Sequence, residues 1–306
     1  MEYRPEGCIF ETPLNQKLIS TAEGLTEAME KGTILEARVK LCTSSHDLII
    51  ELPCAKGIIC REEGAIGIKE GSTRDIALIS RVNKIVCFKV RSLDLAENGE
   101  LVATLSRKAA QEECLREYIS GLSAGDIIPA RVTHFEQFGS FVDIGCGIPS
   151  LLPIDMMSVS RISHPSDRFK VGQLIKAAVK SNVGSRIFLT HKELLGTWEE
   201  NAVKFKAGET VPGVIRSIEE YGIFVELTPN LAGLAEPKED IHIGQSVSVY
   251  IKAILPDKMK VKLIIVDVCS EKAPPAPVEY FVDSDRITEW NYSTAASDKE
   301  ISTVFK

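Results

Sequence analysis

From residue 31 to residue 268 the apolar positions fall into short runs of Val, Ile and Phe, broken by Gly, Pro or Asn about every ten residues. Inside the runs apolar and polar residues alternate. In the stretch FVDIG (141–145), Val142 and Ile144 share one face and leave Phe141 with Asp143 on the other; FVELT (224–228) repeats the split, with Phe224 beside Glu226. Short β-strands are predicted throughout. Two stretches depart from the alternation. Leu194, Leu195, Trp198, Ala202 and Phe205 recur at helical spacing over 193–207, and 109–122 reads as a second helix; both are expected as linkers packed on barrel bottoms.

The strand pattern repeats. Shifted by 83 positions, GDIIPARVTHFEQFGSFVDIGCGIPSLLP (125–153) lies without gaps on GETVPGVIRSIEEYGIFVELTPNLAGLAE (208–236), and at a shift of 72, the loop between blocks being shorter in the third unit, a second block, 171–194, lies on 243–267. A fainter copy spans 31–108. One supersecondary unit is therefore used three times. About five short strands in some 70 residues suit a small Greek-key barrel. Val132 with Phe135, and Ile215 with Ile218, stand three apart in segments too short for a helix, which predicts a bulge that curls the strand. The expected organisation is an N-terminal extension with a short helix (1–30), barrels over 31–108, 123–192 and 208–268, the two linker helices, and an acidic C-terminal tail (269–306) that opens with a proline-rich linker.

Composition changes this picture little, but charge does. The net charge of −7 speaks against a polyanionic partner until it is divided along the chain. Residues 31–108 carry 13 basic and 10 acidic side chains and residues 122–192 carry 8 and 5, while 1–30 and everything after 208 are acidic. A phosphate backbone feels local field within a Debye length, so the first two barrels can present positive surface. The eight cysteines contain no C-x-x-C pair, and His46, His134, His191 and His242 form no cluster with metal-ligand spacing. Neither a metal nor any other cofactor is expected. The chain contains no paired-carboxylate metal pattern, G-x-S-x-G or phosphate-cradling glycine loop, so it is not read as an enzyme. No leader or membrane-spanning run is visible, and the expected location is the cytoplasm.

The succession of Phe-Gly-x-Phe-Val, Gly-Leu, Val-Gly-Gln and Leu-Ser/Thr resembles the S1 RNA-binding domain over roughly 31–268. The resemblance implies an all-β chain of three tandem five-stranded oligonucleotide-binding (OB-fold) barrels joined by short helical linkers. It also implies an RNA face built from two aromatics about the Phe-Gly turn, a His after Gly-Leu, and an Asp and an Arg on the last hairpin. In the second unit these positions hold Phe138, Phe141, Pro153 in place of the His, Asn182 in place of the acid, and Arg186. In the third they hold Tyr221, Phe224, Glu236 in place of the His, and Lys260. The first unit has HDLII where the aromatics belong and Val102 near the basic position, and is not expected to use this face.

Period-two alternation places Phe141 and Phe224 beside an acidic residue on a face read as wetted; exposure of Phe138 and Tyr221 follows from the resemblance alone. Arg131, Lys170, Lys176 and Lys180 are candidates to flank the second face, and His164, in a loop with Arg161 and Arg168, to approach a phosphate or base. Exposed rings beside cations suit unpaired bases, so the expected ligand is single-stranded RNA, such as mRNA, bound with weak sequence preference and strong salt dependence. Further partners implied by the resemblance are the small ribosomal subunit or an RNA-processing complex; the chain is expected to be monomeric. The rival reading is a protein-docking scaffold with little RNA affinity.

Overall fold

The computed structural model describes residues 3–183, 186–272 and 277–306. It contains three closed five-stranded barrels. The chain divides into two compact units, Met1–Gly121 with Asp143–Pro149, and Leu122–Val142 with Ser150–Lys306.

In the first unit β1 (Leu35–Cys42), β2 (Leu48–Glu51), β3 (Lys56–Ile59), β4 (Ile85–Leu95) and β5 (Leu101–Ser106) close in the order β1-β2-β3-β5-β4. All pairings are antiparallel except β3 with β5, which seals the barrel in parallel. Register shifts at Val39/Leu41 and Val90/Ser92 supply the bends that closure needs. Leu35, Ala37, Val39, Val86, Phe88, Ala103 and Leu105 fill the interior. Two helices, Pro13–Ile19 and Ala22–Lys31, precede the barrel where the sequence led us to expect one. Their starts are fixed by Thr12 and Thr21, whose hydroxyls accept from the amides of Asn15 and Gly24.

A buried charge network fastens the N-terminal segment. Glu6 receives Arg107 Nε and Nη2 at 2.7 and 3.1 Å, and its backbone N–H donates to Asp143 at 2.7 Å. Burial and the neighbouring Glu6 charge push the Asp143 carboxyl up to about 7, against three backbone N–H donors that favour its ionised form.

The second unit holds two barrels. β6 (Ile127–Glu136), β7 (Gly139–Asp143), β8 (Pro149–Pro153), β9 (Leu174–Val183) and β10 (Arg186–Thr190) close as β10-β8-β7-β6-β9. β11 (Thr210–Glu219), β12 (Gly222–Thr228), β13 (Leu231–Ala235), β14 (Gln245–Leu255) and β15 (Lys260–Lys272) close as β11-β12-β13-β15-β14. The predicted bulge in the third barrel lies between Ile215 and Ser217. The helical spacing over 193–207 resolves into a short 3-10 turn, Lys192–Leu195, and a helix, Trp198–Ala202, separated by Gly196 at φ +81°. Thr197 and Glu200 form a capping box at the helix start, and Trp198 is buried in the third barrel's core.

The C-terminal segment folds back onto this unit. Of the proline-rich linker, residues 273–276 lie outside the described residues. Beyond them the Lys176 amide donates to Tyr280 Oη at 2.9 Å, the Phe281 amide to Leu194 O at 3.0 Å, and the Tyr292 hydroxyl to Asn230 O at 2.7 Å. Trp290 and Tyr292 enter the third-barrel core, and a small hairpin pairs Glu289–Asn291 with Ser302–Val304. Among the described residues no helix is long and apolar enough to cross a membrane.

Candidate nucleic-acid interface

On the second barrel the Phe-Gly turn brings its two rings together. Phe138 is 56% exposed, Phe141 is half-buried, and the rings meet edge to face with centroids 6.3 Å apart. Gly139 makes this possible, because a Cβ there would stand 2.6 Å from Leu152 O on the neighbouring strand. The third barrel repeats the arrangement: Tyr221 is 69% exposed, Phe224 is half-buried, their centroids are 6.2 Å apart, and a Cβ at Gly222 (φ +151°) would stand 2.6 Å from Ala235 O.

The acids that share a face with these phenylalanines are not wetted. Asp143 and Glu226 are buried, at 3% and 4% exposure. Glu226 receives Arg168 in a two-pronged pair at 2.9 and 2.8 Å and Arg216 in another at 2.9 and 3.1 Å. Burial alone pushes the Glu226 carboxyl up, but the two guanidiniums outweigh it and hold it below the usual carboxylate range. The charged neighbour therefore marks a sealed polar site, backbone amides around Asp143 and an ion-pair network around Glu226, and Phe141 and Phe224 are half-buried. Arg168, grouped with His164 as a loop cation, belongs to the Glu226 network.

Two aromatics not singled out in the sequence are also exposed on the second barrel. The exposed His134 stacks on Phe141, with centroids 4.5 Å apart and planes 9° from parallel. Phe188, on β10, is 47% exposed and pairs with Leu151 of β8. Alternation in RIFLT points Ile187 and Leu189 inward and thus Phe188 outward, a signal legible in the sequence; the His134–Phe141 pair spans two strands and is not. Arg186 is exposed at the start of β10, and Lys180 is exposed on β9 with its Nζ 3.5 Å from Met156 Sδ.

Other candidates have structural roles. Asn182 donates its amide to Leu122 O at 2.9 Å, and Arg131 donates to Gly172 O at 2.9 Å. His164 caps a 3-10 turn, its Nδ1 accepting from the Ser166 amide, and meets Phe135 edge to face at 5.9 Å. Pro153 is half-buried beside Gly139. Glu236 is exposed, with Lys252 Nζ at 3.9 Å to offset its charge. Lys170 and Lys176 are exposed. Lys260 stands with Tyr221 and Phe224 around one cavity of about 510 Å³.

In the first barrel the stretch that replaces the aromatics leaves a polar turn at His46 and Asp47 and continues as β2, with Leu48 and Ile50 buried. Asp47 accepts from the Arg61 amide and Asp75 from Arg61 Nε, both at 2.8 Å. Among the described residues no group of three or more His, Cys, Asp or Glu side chains is placed to hold a metal ion.

Residues 122–192 match the family model of the S1 RNA binding domain. The small ribosomal subunit protein bS1 of Staphylococcus saprophyticus is 30% identical over 235 residues, 71% of this chain and 57% of the relative. That of Staphylococcus aureus strain COL is 32% identical over 222 residues, 67% of this chain and 54% of the relative. The chain thus spans little more than half the length of these relatives. Among solved structures, a multidomain protein with nucleic acid binding domains from Streptococcus pneumoniae TIGR4 is 14% identical with a TM-score of 0.26, covering 77% of this chain and 73% of that one.

Proposed function

Because residues 122–192 belong to the S1 RNA-binding domain family, we propose that this chain is a non-catalytic cytoplasmic protein that binds single-stranded RNA, mRNA included, on the second and third barrels. The observation that carries the reading is the aromatic cluster of the second barrel. Exposed His134 and Phe138 each meet half-buried Phe141 ring to ring, and Phe188, Arg186 and Lys180 are exposed on β9 and β10 of the same barrel. Phe141 acts as a floor. Its ring is already paired with His134, so a base stacks on the exposed rings that it braces.

Stacking of this kind is worth about 1–3 kcal/mol per base and accepts any base, while the cations track phosphate. Weak sequence preference and a steep salt dependence follow. The Tyr221–Phe224 pair with Lys260 forms the second contact, and tethering two weak faces raises avidity through effective concentration. Docking on the small ribosomal subunit or an RNA-processing complex is the proposed setting, supported by the likeness to bS1 proteins. The first barrel, with its polar turn and tied Arg61, does not use this face for RNA.

A filter-binding titration with poly-U at low and moderate salt tests the reading. Binding at low salt that falls steeply as salt rises supports it; no binding at low salt supports a docking scaffold instead. Products from labelled RNA incubated with the protein and Mg²⁺ would contradict the non-catalytic assignment.

A further inference from the structure

The cavity beside Tyr221 and Phe224 is not built by the third barrel alone. Its lining includes Lys258 and Lys260 from the β14–β15 hairpin, Arg161 from the segment that follows β8, and Lys299 from the C-terminal segment. All four cations are exposed, and none has an ion-pair partner among the described residues. Among the described residues Glu219 is the one carboxylate that lines the same space, and the remaining cation there, Arg216, is paired with Glu226 and, at 4.0 Å, with Asp167. Among the described residues these like charges stand around an aromatic wall with Glu219 alone to offset them, which is the electrostatic imprint of an anion.

The scaffold under these cations is fixed. Met259 sits between the two lysines at φ +45°, a left-handed conformation uncommon for a residue with a Cβ, and its side chain packs on the third-barrel core. The Thr294 hydroxyl donates to Pro256 O at 2.9 Å, fastening the C-terminal segment to that same hairpin, while Tyr292 anchors it to Asn230. The Lys299 backbone is held by Ser293 and Ser297, and the residue lines the cavity.

We propose that the C-terminal segment is a working wall of a nucleotide-binding groove. A base of a single strand lies against Tyr221 and Phe224, and its phosphates are held by Lys258, Lys260, Arg161 and Lys299. A volume of about 510 Å³ admits a nucleotide unit, in the range common for small-ligand sites. The inference rests on the RNA-binding reading and adds to it two contributors from outside the third barrel, Arg161 and Lys299.

The test uses the full chain carrying Phe138→Ala and Phe141→Ala, so that the affinity left for a fluorescein-labelled hexauridylate reports on the third barrel. Adding Lys299→Glu is expected to weaken that affinity about tenfold at low salt, and Arg161→Glu to do likewise. Lys299→Ala should lower the slope of log affinity against log salt by about 0.7, the effect of one lost phosphate contact on a single strand. Unchanged affinity and slope in all three variants would overturn the groove while leaving RNA binding by the second face intact. Failure of the unsubstituted chain to bind the oligonucleotide at all would overturn the reading beneath it as well.

Discussion

The imidazole of His134 lies flat against the ring of Phe141, 4.5 Å between centroids and 9° from parallel. A ring already stacked on one side is held in place before ligand arrives, so less rotamer freedom is lost on binding.

Phe141→Ala is therefore expected to weaken oligouridylate binding about tenfold, and His134→Ala about threefold, within the range for one lost or loosened stack. Since the imidazole depends on the phenyl ring for its position, the double variant should lose less than the product of the two. Fluorescence anisotropy at matched salt gives the cycle; strictly multiplicative losses would mean that the two rings act independently.

Glu226→Gln strands Arg168 and Arg216, both nearly sealed from water, without their common carboxylate. Removing one partner of a buried charge network costs about 3–5 kcal/mol, so the unfolding midpoint in urea should fall sharply. The same network sets an acid limit. The Glu226 carboxyl titrates lower folded than unfolded, so its contribution is present above the unfolded carboxylate pKa and is lost as pH falls through the folded one.

His191 is wholly buried. Its Nδ1–H donates to Met157 O at 2.8 Å, and Tyr280 Oη stands 3.4 Å from Nε2. Burial, aided by the nearby Arg168 charge, pulls its pKa down to about 4. A histidine kept neutral by the fold stabilises fully above its unfolded pKa, roughly 6.5, and that contribution drains away as pH falls from there to about 4. An NMR titration should find this imidazole uncharged at pH 5; protonation near pH 6.5 would mean that water reaches it.

Gly139→Ala places a methyl 2.6 Å from Leu152 O, closer than backbone tolerates. The strands must part, at a cost of about 1–3 kcal/mol, and Phe138 moves with them. Thermal unfolding should show the loss of stability and anisotropy a parallel loss of oligonucleotide affinity; a variant as stable as the parent would show that the approach relaxes freely.

The strands and the closed barrels were legible because they depend on local alternation and on a repeat that can be laid over itself, whereas the outward rings of Phe138 and Tyr221 were expected from the family resemblance alone. What escaped depends on distance along the chain. Asp143 and Glu226 read as wetted from their strand neighbours, yet Asp143 is sealed by the amide of Glu6, 137 residues away, and Glu226 by Arg168, 58 residues away. Asn182 stands at an expected contact position but spends its amide on Leu122, 60 residues back. The acidic tail held Trp290 and Tyr292 without any period to say where they would be buried, and their site exists only once the third barrel has closed.

The most direct test of the account is the affinity of the full chain for a labelled oligouridylate across a salt series, compared with the Phe138→Ala/Phe141→Ala variant. Log affinity is expected to fall linearly with log salt, and the variant to bind more than about tenfold more weakly at every point. Equal affinities for the two proteins, or an affinity indifferent to salt, would contradict it.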